Sequence, residues 1–436
     1  SNYLKMKNIL FFILINILLI HSVSSETLSQ AIKRAYQDNP KLNAEREAVK
    51  VSTENIKISK SNFLPTMTLS GTLSDENSSK LTNRAGVEQN IENVSPFKKS
   101  LIIEQKIFQG GARAELKKSQ IGYDLANEKL KKVEQDIIYE AIKIYTELVL
   151  NNQKYEINLS NVSLLDRQTE TDRFRLERGE ISITDLAQSE ASLAGAKAQL
   201  IKAQSDLVTS KLNYEKTIGE INNFTDVVEN YSFNYNIPNL LEEASIISKK
   251  YNADLNIAKL ELNQAEKDIL IAESDLKPSG SLSFEAVQTD DMSSSYDESD
   301  KEILKATVSW PFYSGGKNKA NFNKYKFLKN QKRLLLEDEI KSNETKLSSA
   351  WSNYKSSKSF LQSIKLQVKA AEIAYEGIML EYESGLGRST LDVIQSNSIL
   401  LDAKTSLANS KRDYFLSQYF LLKLMGKLTF AELSLN

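Results

Sequence analysis

Tyr382-Glu383-Ser384-Gly385-Leu386-Gly387-Arg388-Ser389-Thr390-Leu391-Asp392 separates two long helical patterns, one from Gly315 to Glu383 and one from Thr390 to Met425. Gly385 and Gly387 supply the left-handed backbone that ends a helix and reverses the chain. Ser389 and Asp392 form an S-x-x-D capping box, which starts the returning helix. The same device stands earlier, in Phe174-Arg175-Leu176-Glu177-Arg178-Gly179-Glu180-Ile181-Ser182-Ile183-Thr184-Asp185, where Gly179 reverses the chain and Ser182 and Asp185 make the box. Two helical hairpins with matching tips imply a duplicated chain.

The flanking helices support this. Leu186, Leu193, Leu200, Leu207 and Tyr214 recur every seven residues, with the small residues Ser189, Ala196, Ala203 and Ser210 between them. In the second copy Val393, Leu400, Leu407, Tyr414 and Leu421 alternate with Ser396, Ala403, Ser410 and Ser417. A heptad with one large and one small seam position permits close helix approach and supercoiling. The helix before the first tip reads from Ala112 to Arg178, with Leu130, Val133, Ile137, Ala141, Ile144 and Leu148 stepping by threes and fours. At about 1.5 Å per residue it is roughly 100 Å long and needs a partner along its length. No proline falls between Pro96 and Pro238 or after Pro311, so both long helices are uninterrupted.

Ahead of each hairpin the hydrophobic period changes from helical to alternating. Met67, Leu69 and Leu73 alternate with Thr66, Thr68, Ser70 and Thr72, predicting a strand over about 64–74. Leu101, Ile103 and Ile107 alternate with polar residues, predicting a second strand over 98–109. The polar stretch Asp75–Pro96 between them reads as a loop. The counterparts fall at about 279–288 and 303–313, around an acidic loop. Phe108-Gln109-Gly110-Gly111 is echoed by Phe312-Tyr313-Ser314-Gly315-Gly316, and Asn39-Pro40-Lys41-Leu42 by Asn252-Ala253-Asp254-Leu255. The chain thus divides into a first repeat over 26–219 with its long hairpin at 112–218, a connector over 220–239, a second repeat over 240–427 with its hairpin at 315–425, and a tail over 428–436.

Composition narrows the chemistry. There is no cysteine, and His21 is the sole histidine. A net charge of −1 advertises no nucleic-acid surface. Lys5 and Lys7, the apolar run Ile9–Ile20 and the small residues Ser22-Val23-Ser24-Ser25 read as an export signal over 1–25. Met6-Lys7-Asn8 reads as a start, which makes 1–5 an upstream extension. Cleavage near Ser25 removes His21, so histidine- and cysteine-based catalysis and metal binding are excluded. Neither a cofactor nor a catalytic residue is expected. A carboxylate-based hydrolase ranks far behind, because no paired carboxylates stand on a glycine-marked loop.

Four strands in two hairpins cannot close a barrel alone. Each has one apolar and one polar face over about ten residues, as a lipid-facing strand with a wet interior has. Open edges in lipid cost several kcal/mol per unmet backbone group, so closure needs several copies of the chain. A small soluble sheet packed on helices satisfies the same alternation. The export signal, the absent cysteine and the duplicated hairpins favour the barrel. Phe63, Phe97, Phe108, Trp310, Phe312 and Tyr313 lie near strand ends, where interfacial aromatics belong.

In this order, helix pair, strand hairpin and long helical hairpin, all given twice after an export signal, the chain resembles the TolC family of outer-membrane exit ducts. The resemblance covers essentially the whole mature chain. It rests on Asn39-Pro40, Phe108 through Gly111, Tyr313 through Gly316, Gly179 through Asp185, and Arg388 through Val393. It implies a mainly α fold with a membrane β-barrel: a homotrimer whose coiled-coil hairpins form an α-barrel, with four strands per chain in one twelve-stranded β-barrel. The implied function is a passive exit duct of a tripartite efflux pump or type I secretion system. The implied location is the Gram-negative outer membrane, extending into the periplasm. Outer-membrane lipid, a periplasmic adaptor and an inner-membrane transporter of the RND or ABC class are the implied partners, with no nucleic acid. The hairpin tips would close the duct, with Arg388 reaching Thr184 and Asp185, Tyr382 adding a hydrogen bond, and Asp392 repeated as a carboxylate ring. Gln395 stands where the best-fitting family channel carries a second acidic ring, and one extra residue separates Tyr382 from Arg388. The alternative is a periplasmic coiled-coil adaptor or spacer without a pore.

Overall fold

Each repeat begins with a broken helix pair joined at an asparagine. In the computed structural model α1 (Leu28–Asp38) opens on a Thr27 capping box closed by Gln30. It ends at Asn39, whose extended ψ of 117° is what a residue before proline adopts. Asn39 Oδ1 accepts hydrogen bonds from the amides of Lys41 and Leu42 at 2.9 and 3.1 Å. It thereby caps α2 (Pro40–Ser61), with Pro40 in the first turn, where a missing N–H costs nothing. The second repeat places Asn252 between α5 (Leu241–Tyr251) and α6 (Ala253–Ser274). The long helices are α3 (Ala112–Glu177), α4 (Ile183–Thr217), α7 (Lys317–Glu383) and α8 (Thr390–Leu424).

The structure describes residues 26–221, 229 and 231–434. The export-signal reading therefore lies outside the described residues, as do positions 222–228 and 230 of the connector and 435–436 of the tail. The described chain forms two units. One comprises residues up to Asn43, Lys131–Asn252 and Asn343 onward; the other comprises Ala44–Leu130 and Ala253–Ser342.

The first unit holds the main core. Ile32, Ile138, Ile142, Leu347, Phe415, Leu421, Met425 and Leu428 form one buried cluster. Connector residues Tyr231 and Phe233 pack edge-on against Phe415 and Tyr419, with ring centroids 5.3 and 5.1 Å apart. Fully burying a side chain such as Phe415 contributes about 1.5–3 kcal/mol. The heptad seam lies inward as its spacing requires. Leu186, Ser189, Leu193, Ala196, Ala203, Leu207, Ser210 and Tyr214 are buried on α4, and Val393, Ser396, Leu400, Ala403, Ser410, Ser417 and Leu421 on α8.

The second unit holds an antiparallel sheet of order β1-β4-β5-β6. β1 is Thr66–Leu73, β4 Phe97–Phe108, β5 Ser279–Asp290 and β6 Glu298–Ser309. The β4–β5 pairing joins the two repeats, with Leu101 opposite Ala286 and Ile103 opposite Phe284. The stretch expected to be a loop at 75–96 holds a further hairpin, β2 (Glu76–Thr82) and β3 (Glu88–Val94). Its sequences, ENSSKLT and EQNIENV, are mostly polar and lack the alternation that marks a half-buried strand. The fourth strand ends earlier than its expected 303–313, because Pro311 has no N–H to give a ladder. It also starts earlier, because Glu298–Lys301 pair with Val287–Asp290 although their charge suggests a loop. Among the described residues no helix is long and apolar enough to cross a membrane. Trp310, Phe312 and Tyr313 follow β6 and are 60%, 83% and 79% exposed.

Candidate functional site at the hairpin tips

The two tips are built by the same local chemistry. α3 ends in a double-bonded turn, with the Gly179 amide on Leu176 O at 2.9 Å and the Glu180 amide on Arg175 O at 2.9 Å. α7 ends the same way, with the Gly385 amide on Tyr382 O at 3.3 Å and the Leu386 amide on Glu381 O at 2.9 Å. This closure requires a left-handed residue, and Gly179 and Gly385 take it at φ 74° and 72°, with Gly387 following at 84°. In the returning helices Asp185 Oδ2 accepts from the Ser182 amide and hydroxyl at 2.9 and 2.7 Å. Asp392 Oδ2 accepts from the Ser389 amide and hydroxyl at 2.9 Å each.

These bonds favour the charged carboxylates. The Ser182 hydroxyl, and then its amide, hold Asp185 below the usual carboxylate range. For Asp392 the Ser389 amide is the larger cause and the hydroxyl the next. Capping employs only Oδ2, so Oδ1 of each aspartate accepts no hydrogen bond among the described residues. Thr184 and Gln395 are exposed, Gln395 one helical turn beyond Asp392.

Within one chain Arg388 does not meet Thr184 or Asp185. Its Nε lies 2.5 Å from Glu381 Oε2, an exposed pair on the same hairpin. Tyr382 does make a hydrogen bond, to a residue that the sequence reading did not single out. Its hydroxyl donates to Asp172 Oδ1 at 2.6 Å and meets Thr390 Oγ1 at 3.2 Å. Asp172 is fully buried. It also accepts from Gln168 Nε2 at 3.1 and 3.3 Å and from the Ser189 hydroxyl. The Arg175 guanidinium lies 4.3 Å from the Tyr382 ring centroid, and its Nη2 donates to Tyr382 O at 3.2 Å. One polar cluster thus draws on all four long helices. Burial, and then the bond to Asp172, raise the Tyr382 pKa, so the phenol stays a donor. A second polar tie joins α8 to α3, from Asn397 Nδ2 to Asn161 Oδ1 at 2.8 Å.

A sequence signal for Asp172 existed. It lies seven residues after Leu165, which is buried, so a carboxylate occupies a seam position. Among the described residues no group of three or more His, Asp or Glu is placed to hold a metal ion.

The duplicated hairpins, the four-stranded sheet with an apolar face and the capped tips define a class, the outer-membrane channel whose barrel is shared by several chains. The chain belongs to the outer membrane efflux protein family, whose model matches residues 31–220 and 248–427. It is 26% identical to the outer membrane efflux protein BepC of Brucella suis biovar 1, over 94% of this chain and 88% of that one. It is 23% identical to the outer membrane protein TolC of Escherichia coli K12, over 94% and 84%. Its fold is similar to that of CusC, with a TM-score of 0.79 at 16% identity over 92% of both chains. The Campylobacter jejuni CmeC outer membrane channel gives 0.78 at 16% identity over 92% and 85%.

The exit-duct reading therefore stands over the poreless adaptor: the protein is an outer-membrane channel of the TolC type, which extends into the periplasm. Its barrel is shared in the trimer, so one chain contributes a four-stranded sector. Family channels work with adaptor and inner-membrane transporter partners, and the relatives are channels, not enzymes.

Proposed function

We propose that this chain forms a passive trimeric exit duct whose periplasmic end is closed by the two capped hairpin tips, and that Asp392 supplies its acidic constriction. The observation that carries this reading is the divided use of the Asp392 carboxylate. Oδ2 starts α8, while Oδ1 accepts nothing among the described residues and is left for a cation or a neighbouring copy. Arg388 holds Glu381 within its own hairpin and can exchange it for Thr184 or Asp185 of a neighbouring chain when the tips converge. Gln395 in place of a second carboxylate makes this a one-ring gate.

The partners in this reading are a periplasmic adaptor and an inner-membrane transporter of the RND or ABC class. One relative is named as an alkaline protease secretion protein, AprF of Pseudomonas aeruginosa, at 20% identity over 77% of this chain, and BepC as an efflux protein. Both routes therefore fit a duct of this type. Single-channel conductance in planar bilayers tests the gate. The Arg388→Ser channel is expected to conduct more than the parent, and equal conductance would remove Arg388 from the closure.

A further inference from the structure

The sheet sorts its charges by face. On β6 the outward positions Glu298, Asp300 and Glu302 are acidic, whereas the intervening inward positions include Lys301 and Lys305. The outward face is fixed by the apolar row Met67–Ile103–Phe284–Leu304 and by Leu69–Leu101–Ala286, a row that ends on Glu302 at β6. These must meet lipid, so the opposite face lines the lumen. That inward face carries Lys98, Lys106, Lys301 and Lys305 against Glu104 and Glu285. Its other residues are Ser and Thr, apart from Ile102, Val287 and Ile303.

The pairing register brings these groups together. Lys305 lies in the row Thr66–Glu104–Ser283–Lys305, and Lys301 in the row Ser70–Ser100–Val287–Lys301. Same-face rows are about 7 Å apart, so Lys301 and Lys305 lie two rows, about 14 Å, apart with Glu285 in the row between, and their long side chains share one wall of the lumen. The outward face neutralises its one lysine, because Lys99 Nζ lies 3.3 Å from Asp290. Among the described residues the four inward lysine side chains make no ion pair. At the helical end of the same face, Glu104, Lys106, Ser281, Thr307 and Ser309 line a concavity of about 220 Å³.

We propose that this face forms a basic collar inside the trimeric barrel that binds and concentrates multivalent anions. Threefold repetition multiplies the excess of lysine over glutamate, and a lumen walled by low-dielectric lipid focuses the field. The collar is opposite in sign to the Asp392 constriction, and it depends on the shared barrel but not on the gate residues. A random scatter of solubilising charge would not place acid outward and base inward along one strand.

The test is calorimetric titration of purified trimer, in a non-ionic detergent, with inositol hexakisphosphate. Parent protein is expected to bind it, more weakly as salt is raised, and the Lys301→Gln/Lys305→Gln trimer about tenfold more weakly. Lys99→Gln, on the outward face, is expected to leave binding unchanged. The Glu104→Gln/Glu285→Gln trimer, which keeps every lysine, is expected to bind more tightly. Unchanged affinity in the lysine variant overturns the collar, as does an equal loss in Lys99→Gln. Should the lysine variant fail to assemble, unchanged affinity in the glutamate variant overturns it instead.

Discussion

The Tyr382 hydroxyl donates to Asp172 Oδ1 at 2.6 Å, across 210 residues of sequence and wholly inside the helical bundle. Asp172 has no exposed surface, and the Arg175 guanidinium stacks on the Tyr382 ring rather than pairing with the carboxylate. The bond therefore ties the end of α7 to α3 through neutral donors around a buried carboxyl group. Losing one donor leaves that group short of a partner, a cost of about 1–3 kcal/mol.

Tyr382→Phe is expected to loosen the α7–α8 tip. The ring keeps its stacking on Arg175, so the change isolates the hydroxyl. Conductance in planar bilayers should rise, and the trimer should unfold at a lower temperature. Removal of the carboxyl partner by Asp172→Leu should raise conductance too, with Tyr382→Phe adding little on top, because the two groups share one interaction. Additive effects would show that Tyr382 and Asp172 act separately.

The charge at the tips is expected to survive mild acid. Ser389 lowers the Asp392 pKa and Ser182 lowers that of Asp185. A carboxylate whose folded pKa is depressed contributes stability above its unfolded value of about 3.9 and loses it as pH falls through the lower folded value. Block of the channel by multivalent cations should therefore be the same at pH 7 and pH 5 and fade only below about pH 4. Asp392→Ala should weaken block at pH 7 and pH 5 alike. Ser389→Ala removes one of the two bonds and should move the loss of block to higher pH. A parent channel that loses block between pH 7 and pH 5 would show that repulsion among the three Asp392 carboxylates outweighs the Ser389 bonds.

The hairpin reversals were legible in sequence because their requirement is local. Gly179 and Gly385 stand where a left-handed residue must, and Ser182–Asp185 and Ser389–Asp392 bond within four residues. The seam was legible for a related reason: seven-residue spacing fixes one helix face, and Leu193 and Leu400 are buried on it. Asp172 shares that spacing but was passed over, since a lone acid within a charged helix reads as solvated. What reveals it is the arrival of Tyr382 and Ser189 from other helices, which no local pattern carries. The β2–β3 hairpin is not legible because neither sequence alternates, and its ladder is a backbone property.

Alanine at Gly179 or Gly385 is expected to destabilise each tip by about 1 kcal/mol, because both positions need positive φ. No neighbouring atom lies within 4 Å of a Cβ placed at either, so the effect is backbone strain alone. Asparagine tolerates this conformation better and should recover part of the loss. Limited proteolysis is the measurement, with cleavage expected near 176–183 for Gly179→Ala and near 382–390 for Gly385→Ala. Equal protease resistance in alanine, asparagine and parent proteins would show that the tips do not depend on this geometry.

Gly280 is expected to be needed for a different reason, the close approach of a side chain. A Cβ there would lie 2.3 Å from the Phe108 ring, where β4 and β5 shift register. Gly280 has no positive φ, so strain plays no part and the whole effect of Gly280→Ala should be steric. Phe108 is 46% exposed and its ring can swing aside in part, which limits the cost to about 1–3 kcal/mol. The displaced ring would disturb the β4–β5 pairing that joins the two repeats, and with it barrel closure. The yield of heat-modifiable trimer should fall for Gly280→Ala. Phe108→Ala should restore it in the double variant, because the clash then has no second partner. A double variant no better than Gly280→Ala alone would show that the glycine serves the strand itself and not the ring.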